Sequence, residues 1–154
     1  MGVPNTFVDG TVASASEVNA NFTNVENYLG YAEIDTTDFN TTTTPTDVDV
    51  TNLAVTVTVP SGARKIKITV FTADFYTNAA AATDLYLKIK EDTTVLILGR
   101  ARTAQINEVT TMTVVYVGTA TAGSHTYKVA IAQSAAGTMH IAANGKAFIL
   151  VEQI

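Results

Sequence analysis

Cysteine is absent from the 154 residues, which excludes a disulfide framework, a zinc–thiolate site and a thiol nucleophile. Charge is scarce too. Only 15% of residues are Asp, Glu, Lys or Arg, against about 25% in an average soluble domain. The net charge is −5, from 14 acidic and 9 basic side chains, and the basic ones form no stripe. Their densest cluster, Arg64, Lys65 and Lys67, alternates with Ile66 and Ile68 as a solvent-facing strand would. A nucleic-acid partner is therefore not expected. No apolar run reaches the roughly 18 residues of a membrane span, and none is expected. No basic stretch followed by a long apolar one opens the chain, so no secretory signal is expected, and the lack of cysteine is compatible with cytoplasmic synthesis.

What is present is apolar, at 47% of residues. With no membrane to receive it, the expected destination beyond a single core is a subunit interface, where charge is depleted. Thr, Val and Ile are frequent, and β-branched side chains favour strands.

Two regions differ in character. From Met1 to about Ser14 the chain is an arm with turn residues at Pro4-Asn5 and Asp9-Gly10 and apolar Val3, Phe7, Val8 and Val12. A helix is expected from about Ala15 to Leu29. Ser14 with Glu17 fits a capping box, and Gly30 is placed to terminate it. Val18, Phe22, Val25 and Leu29 recur at heptad spacing, which makes one apolar seam. Such a short helix is marginal alone. It would lie either on its own domain's sheet or around an oligomer axis, and the low charge of the chain favours the axis. This gives an attachment unit at 1–30 and a β domain at 31–154.

Beyond Tyr31 every signal is β. Expected strands are Ala32–Phe39, Leu53–Val59, Lys65–Phe75, Asp84–Lys90, Thr94–Thr103, Val109–Val117, Ser124–Gln133, Thr138–Ala142 and Ala147–Gln153. In "LAVTVTVP" Leu53, Val55, Val57 and Val59 share one face. Turn residues separate the runs at Pro60-Ser61-Gly62, Glu91-Asp92, Ala122-Gly123, Ala136-Gly137 and Asn144-Gly145. Asn144-Gly145 predicts a tight primed hairpin between the last two strands. "NAAAATDL" and "NTTTTPTD" read as loops, and no segment is repeated. Short antiparallel strands in this number imply a mostly β fold of two packed sheets or a barrel, with an antiparallel β-sandwich of jelly-roll type the first choice.

The opening residues also carry a resemblance. Asn5-Thr6-Phe7, Gly10 and Val18-Asn19-Ala20-Asn21-Phe22 resemble the N-terminal segments of tailed-bacteriophage virion proteins, fibre-like ones especially. "LAVTVTVPSGARKIKITVFTADF" and the closing stretch from Ala122, with its Gly123-Ser124-His125-Thr126-Tyr127-Lys128 hairpin, are similar to jelly-roll domains on such proteins. No long shaft follows, unlike a full tail fibre. The resemblance implies a homotrimer displayed on the virion surface and made in the host cytoplasm. Its arm would dock on the major capsid protein or another virion protein, with Asn5, Phe7, Gly10 and Val12 as anchoring positions. A head-decoration or head-fibre role is expected, and a tail-associated module binding a host-surface glycan is the rival.

Chemistry is not expected. His125 and His140 are far apart in sequence and lack metal-ligand spacing. Asp35/Asp38, Asp47/Asp49 and Glu91/Asp92 are the carboxylate pairs, of which a glycosidase would need one to converge in a cleft. No G-x-S-x-G elbow is present, "GTATAG" is a hairpin connection, and Asp47-Val48-Asp49 lacks the ligand density of a calcium loop. Neither an enzyme activity, a cofactor nor a metal is expected. Phe71, Phe75, Tyr76, Tyr86, Tyr116 and Tyr127 follow strand alternation, as packing side chains do; a sugar-stacking platform is the sharper alternative.

Overall fold

The computed structural model describes Ser14 and residues 28–34, 36–42, 46–60, 62–79 and 82–154. The expected helix over 15–29, with seam residues Val18, Phe22 and Val25, lies outside the described residues except at its end, and there the expectation is corrected. Tyr28 and Leu29 belong to a strand, β1 (Tyr28–Ile34), which pairs antiparallel with the last strand, β10 (Ala147–Gln153). Leu29 packs against the core of its own domain rather than closing a helical seam. Gly30 is no helix terminator either: it sits opposite Val151 in the ladder.

The remaining strands are β2 (Phe39–Thr41), β3 (Val48–Val59), β4 (Arg64–Thr77), β5 (Asp84–Glu91), β6 (Thr94–Arg102), β7 (Thr110–Ala120), β8 (Gly123–Gln133) and β9 (Met139–Ile141). Eight of the nine expected strands are present, with ends moved by up to five residues; the ninth, Ala32–Phe39, is broken, its residues falling in the second half of β1, in a bend at Thr36-Thr37 and at the first position of β2. They form two antiparallel sheets. One has the order β3-β8-β5-β6; the other contains β1, β10, β4, β9, β2 and β7.

The second sheet is simpler than its strand count suggests. Both β9 and β10 pair with the same side of β4, β9 opposite Phe75–Thr77 and β10 opposite Ile66–Thr72. They are two halves of one rail, joined by a short 3-10 turn (Ala143–Gly145). β1 and β2 are likewise two halves of the neighbouring rail, against β10 and β9 respectively. The rail order is therefore β1/β2, β9/β10, β4, β7, facing β3, β8, β5, β6. Apart from the β5–β6 hairpin, consecutive rails cross between the sheets, as in the double Greek key of a jelly roll.

This corrects the hairpin expected at Asn144-Gly145. The last two strands do not pair with each other, because each finds a better partner in β4. Their jog is matched to a bulge in β4 at Ala73-Asp74: the Ala73 amide donates to the Lys146 carbonyl and the Ala142 amide to the Asp74 carbonyl. From the neighbouring rail, Asp38 Oδ1 accepts the Ala143 amide at 2.7 Å. Irregularities in adjacent rails thus sit at one level and satisfy one another's backbone groups.

Period-two alternation fills the space between the sheets. Leu53, Val55, Val57 and Val59 from β3 share one buried core with Ile66, Ile68 and Val70 from β4 and with Leu85, Leu87, Ile89, Val129, Ile131, Ile149 and Val151. Each such side chain contributes about 1.5–3 kcal/mol when fully buried. The two lateral seams of the sandwich close on glycines. A Cβ on Gly30 would lie 2.3 Å from Val55 Cγ1, and one on Gly99 would lie 2.4 Å from Val114 Cγ2. Only a residue without a side chain lets β1 approach β3, or β6 approach β7, this closely.

Candidate functional site

The topology gives the molecule two unlike poles. At one lie the short turns at 60–63, 92–93 and 121–122, together with Tyr28 at the start of β1 and Ile154 at the chain's last residue. At the other lie the longer connections 78–83, 103–109 and 134–138 and the passage from β2 to β3. The expected arm, with Asn5, Phe7, Gly10 and Val12, lies outside the described residues, as do the expected seam positions Val18, Phe22 and Val25. What the structure places is their point of attachment: they lead into Tyr28, at the short-turn pole.

The long connections are braced at their roots. Thr77 Oγ1 donates to Gln133 Oε1 at 2.5 Å, and Gln133 Nε2 donates to the Gly137 carbonyl at 2.6 Å. Asn78 exchanges bonds with Thr138, donating from its amide and accepting at Oδ1. The Asn107 amide reaches the Thr77 carbonyl at 2.9 Å. Gln133 is fully buried and makes both of these bonds, so the network rigidifies that pole.

The outer faces of the two sheets differ in chemistry. On the β3-β8-β5-β6 sheet, charges pair across strands. Lys88 Nζ meets Asp47 at 2.5 Å, Lys90 meets Asp49 at 2.7 Å, Lys128 meets Asp49 at 3.3 Å and Arg100 meets Asp84 at 2.7 Å. Partial burial works against ionisation of Asp49, but the ammonium groups of Lys90 and Lys128 outweigh it and hold the carboxyl below its usual value. Ammonium groups thus stand where a cation bound by Asp47 or Asp49 would have to sit. Thr56 and Thr126 add a hydroxyl pair at 3.0 Å. This is a solvated face whose charges are largely paired, although Asp84 Oδ1 finds no partner among the described residues and Val95 and Leu98 of the β6 edge are exposed.

The outer face of the other sheet is apolar across its middle. Phe148 of β10 stands between Tyr31 of β1 and Phe71 of β4, with ring centroids 5.8 and 5.5 Å away. Register places Leu150 beside Tyr31 and opposite Thr69, which is in turn opposite Val115 of β7. Val117 follows on the same face. Tyr31, Val115 and Val117 are 42%, 44% and 56% exposed. Of the charges that do occur, Lys67 pairs with Glu152 at 2.7 Å, Glu33 accepts a bond from the Tyr31 hydroxyl at 2.5 Å, and Lys65 stands exposed at the short-turn end. At the long-loop end the apolar strip gives way to Tyr76 stacked on His140, centroids 4.5 Å apart, and His140 bonds Asn40. Burial lowers the His140 pKa against the opposing pull of Asp38.

His125 is elsewhere, at the short-turn pole. Nδ1 lies 2.5 Å from Glu91 Oε1 and Nε2 lies 2.9 Å from the Thr121 carbonyl. Both neighbours are acceptors, so the imidazolium, with two N–H donors, fits this cradle best. The Glu91 bond, then the Thr121 bond, raise its pKa against burial. Of the carboxylate pairs marked in the sequence, Asp47/Asp49 and Glu91 are therefore engaged with cationic partners, and Asp38 caps the jog. Among the described residues no three His, Asp or Glu side chains group as a metal site, and no helix is long and apolar enough to cross a membrane.

The apolar face was only half visible in the sequence. Phe71 belongs to the aromatic set, but which face it occupies depends on the strand's register. Val115 and Val117 resemble core residues by type, and only the sandwich shows that Met112 and Val114 point inward and these two outward.

No family model matches the chain, and no curated protein matches it in sequence. Solved structures similar to it include Eiger TNF from S. frugiperda, 12% identical with a TM-score of 0.44, matched over 82% of this chain and 93% of that one. A carbohydrate-binding module of Cellvibrio mixtus lichenase 5A is 17% identical at a TM-score of 0.32, over 82% and 98%. The infectious bursal disease virus VP2 subviral particle is 12% identical at 0.39, over 84% of this chain and 38% of that one. Nothing about activity or partners follows from likenesses this distant. The described residues form a jelly-roll β-sandwich with one charged and one more apolar outer face.

Proposed function

We propose that this protein is a trimeric structural component of a bacteriophage virion, a capsid-decoration or head-fibre protein held to the particle by its N-terminal arm. The observation that carries this reading is the opposition of the poles. The arm joins the fold at Tyr28, among the short turns, and the longer connections lie at the far end. A domain anchored at one end and displayed at the other has this layout. Asn5, Phe7, Gly10 and Val12 are assigned to docking on the major capsid protein or another virion protein. The protein would be made in the host cytoplasm and end on the virion surface.

A tail-associated module binding a host glycan would be expected to present exposed aromatic rings with polar rims on its outward loops. Among the described residues of the far connections the large exposed apolar side chains are Ile106 and Val109, neither of them aromatic. That favours decoration over glycan binding. The reading also assigns no catalytic or metal-dependent step. A chelator is expected to leave the melting temperature unchanged, since a metal held only by the native state would add stability by mass action; a fall of many degrees contradicts it.

The direct test is reconstitution. Tagged protein is added to particles lacking it and the bound copies are counted. Deleting residues 1–12 is expected to abolish loading while circular dichroism still reports the β domain. Phe7→Ala is expected to weaken loading more than Asn5→Ala, because buried aromatic anchors carry more binding energy than rim amides. Normal loading of the deletion variant would move attachment to the β domain and overturn the reading.

A further inference from the structure

We infer that the apolar outer face of the β1/β2, β9/β10, β4, β7 sheet is the surface by which copies of this chain join one another. This rests on the trimer reading above and names the surface it would use. Three observations select a second copy as the occupant.

The first is charge. Each copy carries −5, so copies repel unless they meet where no charge is left uncompensated. This strip comes near that condition: its Lys67 and Glu152 neutralise each other within one chain, and the charges left on the face are Lys65, toward the short-turn end, and Glu33 on the flanking β1 rail. The charged outer face of the other sheet would lose the hydration of at least four ion pairs on burial, a cost that Coulomb attraction often fails to recover.

The second is the edge. β7 (Thr110–Ala120) borders this face with no Lys, Arg, Asp, Glu or Pro in its length. Isolated proteins guard edge strands with such residues, and a strand without them is fitted to be covered. Four rails about 4.8 Å apart, and some eight residue steps of about 3.4 Å, span roughly 500 Å² in projection, of which about half would serve each of the two contacts a copy makes in a ring of three.

The third is where the rest of the chain joins. Tyr28, opposite Glu152, lies at one end of this face. Copies packed face inward about a common axis would therefore bring their arms together at one pole. In a closed ring of three, each contact is between unlike halves of the face. The ring-bearing half of one copy, Tyr31, Phe148 and Phe71, meets the smaller β-branched half of the next, Val115 and Val117.

Light scattering on the full chain tests this. Wild type is expected at three times the chain mass, and Val115→Lys with Val117→Lys at the monomer mass. Thr58→Lys, on the opposite outer face, is expected to remain a trimer. Should the double lysine variant fail to fold, Val117→Thr keeps shape and strand preference. It is expected to raise the concentration at which the trimer dissociates at least tenfold. A wild-type trimer whose mass and dissociation are unmoved by these changes overturns this inference and leaves the trimer reading intact. A monomeric wild type overturns the trimer reading itself. If Val115→Lys also reduces particle loading of such a monomer, the face belongs to a virion partner instead.

Discussion

Gly30 and Gly99 show how one residue type takes different meanings from its surroundings. In the sequence Gly30 follows a capped, heptad-spaced stretch and looks like a helix end; in the fold it lets β1 touch β3. Alanine at either position puts a methyl within 2.4 Å of a valine methyl. The β-branched neighbours cannot swing aside freely, so Gly30→Ala and Gly99→Ala are each expected to cost about 1–3 kcal/mol, as overpacking does. Urea unfolding midpoints measure this, with Thr58→Ala on an exposed face as the control. His125 is the titratable counterpart. Its folded pKa is raised by the Glu91 and Thr121 bonds, so its contribution is complete below the unfolded value of about 6.5. It is lost as pH rises through the higher folded value, because the folded state then releases the proton it had held more tightly. Stability is expected to decline on that limb above about pH 6.5, and His125→Gln is expected to flatten it. An unchanged slope in the variant would show that His125 is not the group responsible.

At the scale of elements, local periodicity is legible in the sequence and the choice of strand partner is not. Alternation in "LAVTVTVP" identified the buried face of β3 correctly, because period two is a property of the strand alone. The Asn144-Gly145 dipeptide signalled a reversal, yet β9 and β10 continue in one direction along β4. That choice depends on residues about 70 positions away in sequence, opposite Phe75–Thr77 and Ile66–Thr72, which no local pattern contains. The start of β1 was missed for a related reason. Leu29 completes a heptad as readily as it packs into the sandwich, and only the ladder with β10 decides between them. The apolar strip was hidden likewise, since Val115 outside and Val114 inside differ only in register. The jog itself makes an element-scale prediction. Lys146 holds φ 58° and ψ 139°, a region that costs a residue with a side chain about 1–3 kcal/mol. Lys146→Gly relieves that strain and adds back some unfolded-state entropy. It is expected to stabilise the protein by roughly 1 kcal/mol, seen as a higher urea midpoint with an unchanged slope.

At the scale of the whole molecule, orientation follows from which end the chain enters. Loops at the far pole are braced at their roots by Thr77, Gln133 and Asn78, so additions beyond the bracing leave the sandwich undisturbed. The connection at 103–109 suits such an addition at Gln105-Ile106, where both residues are exposed. The short turn at Gly62, also exposed, lies at the pole where the arm begins. If gathered arms hold the protein to a particle, several weak contacts act together and raise avidity by roughly 100- to 10,000-fold. A short epitope between Gln105 and Ile106 is then expected to leave loading unchanged and to be reached by antibody on intact particles. The same epitope after Gly62 would crowd the particle surface, and is expected to lower the number of bound copies or to be shielded from antibody. Equal loading and equal antibody access for both insertions would show that the molecule does not stand on its short-turn pole.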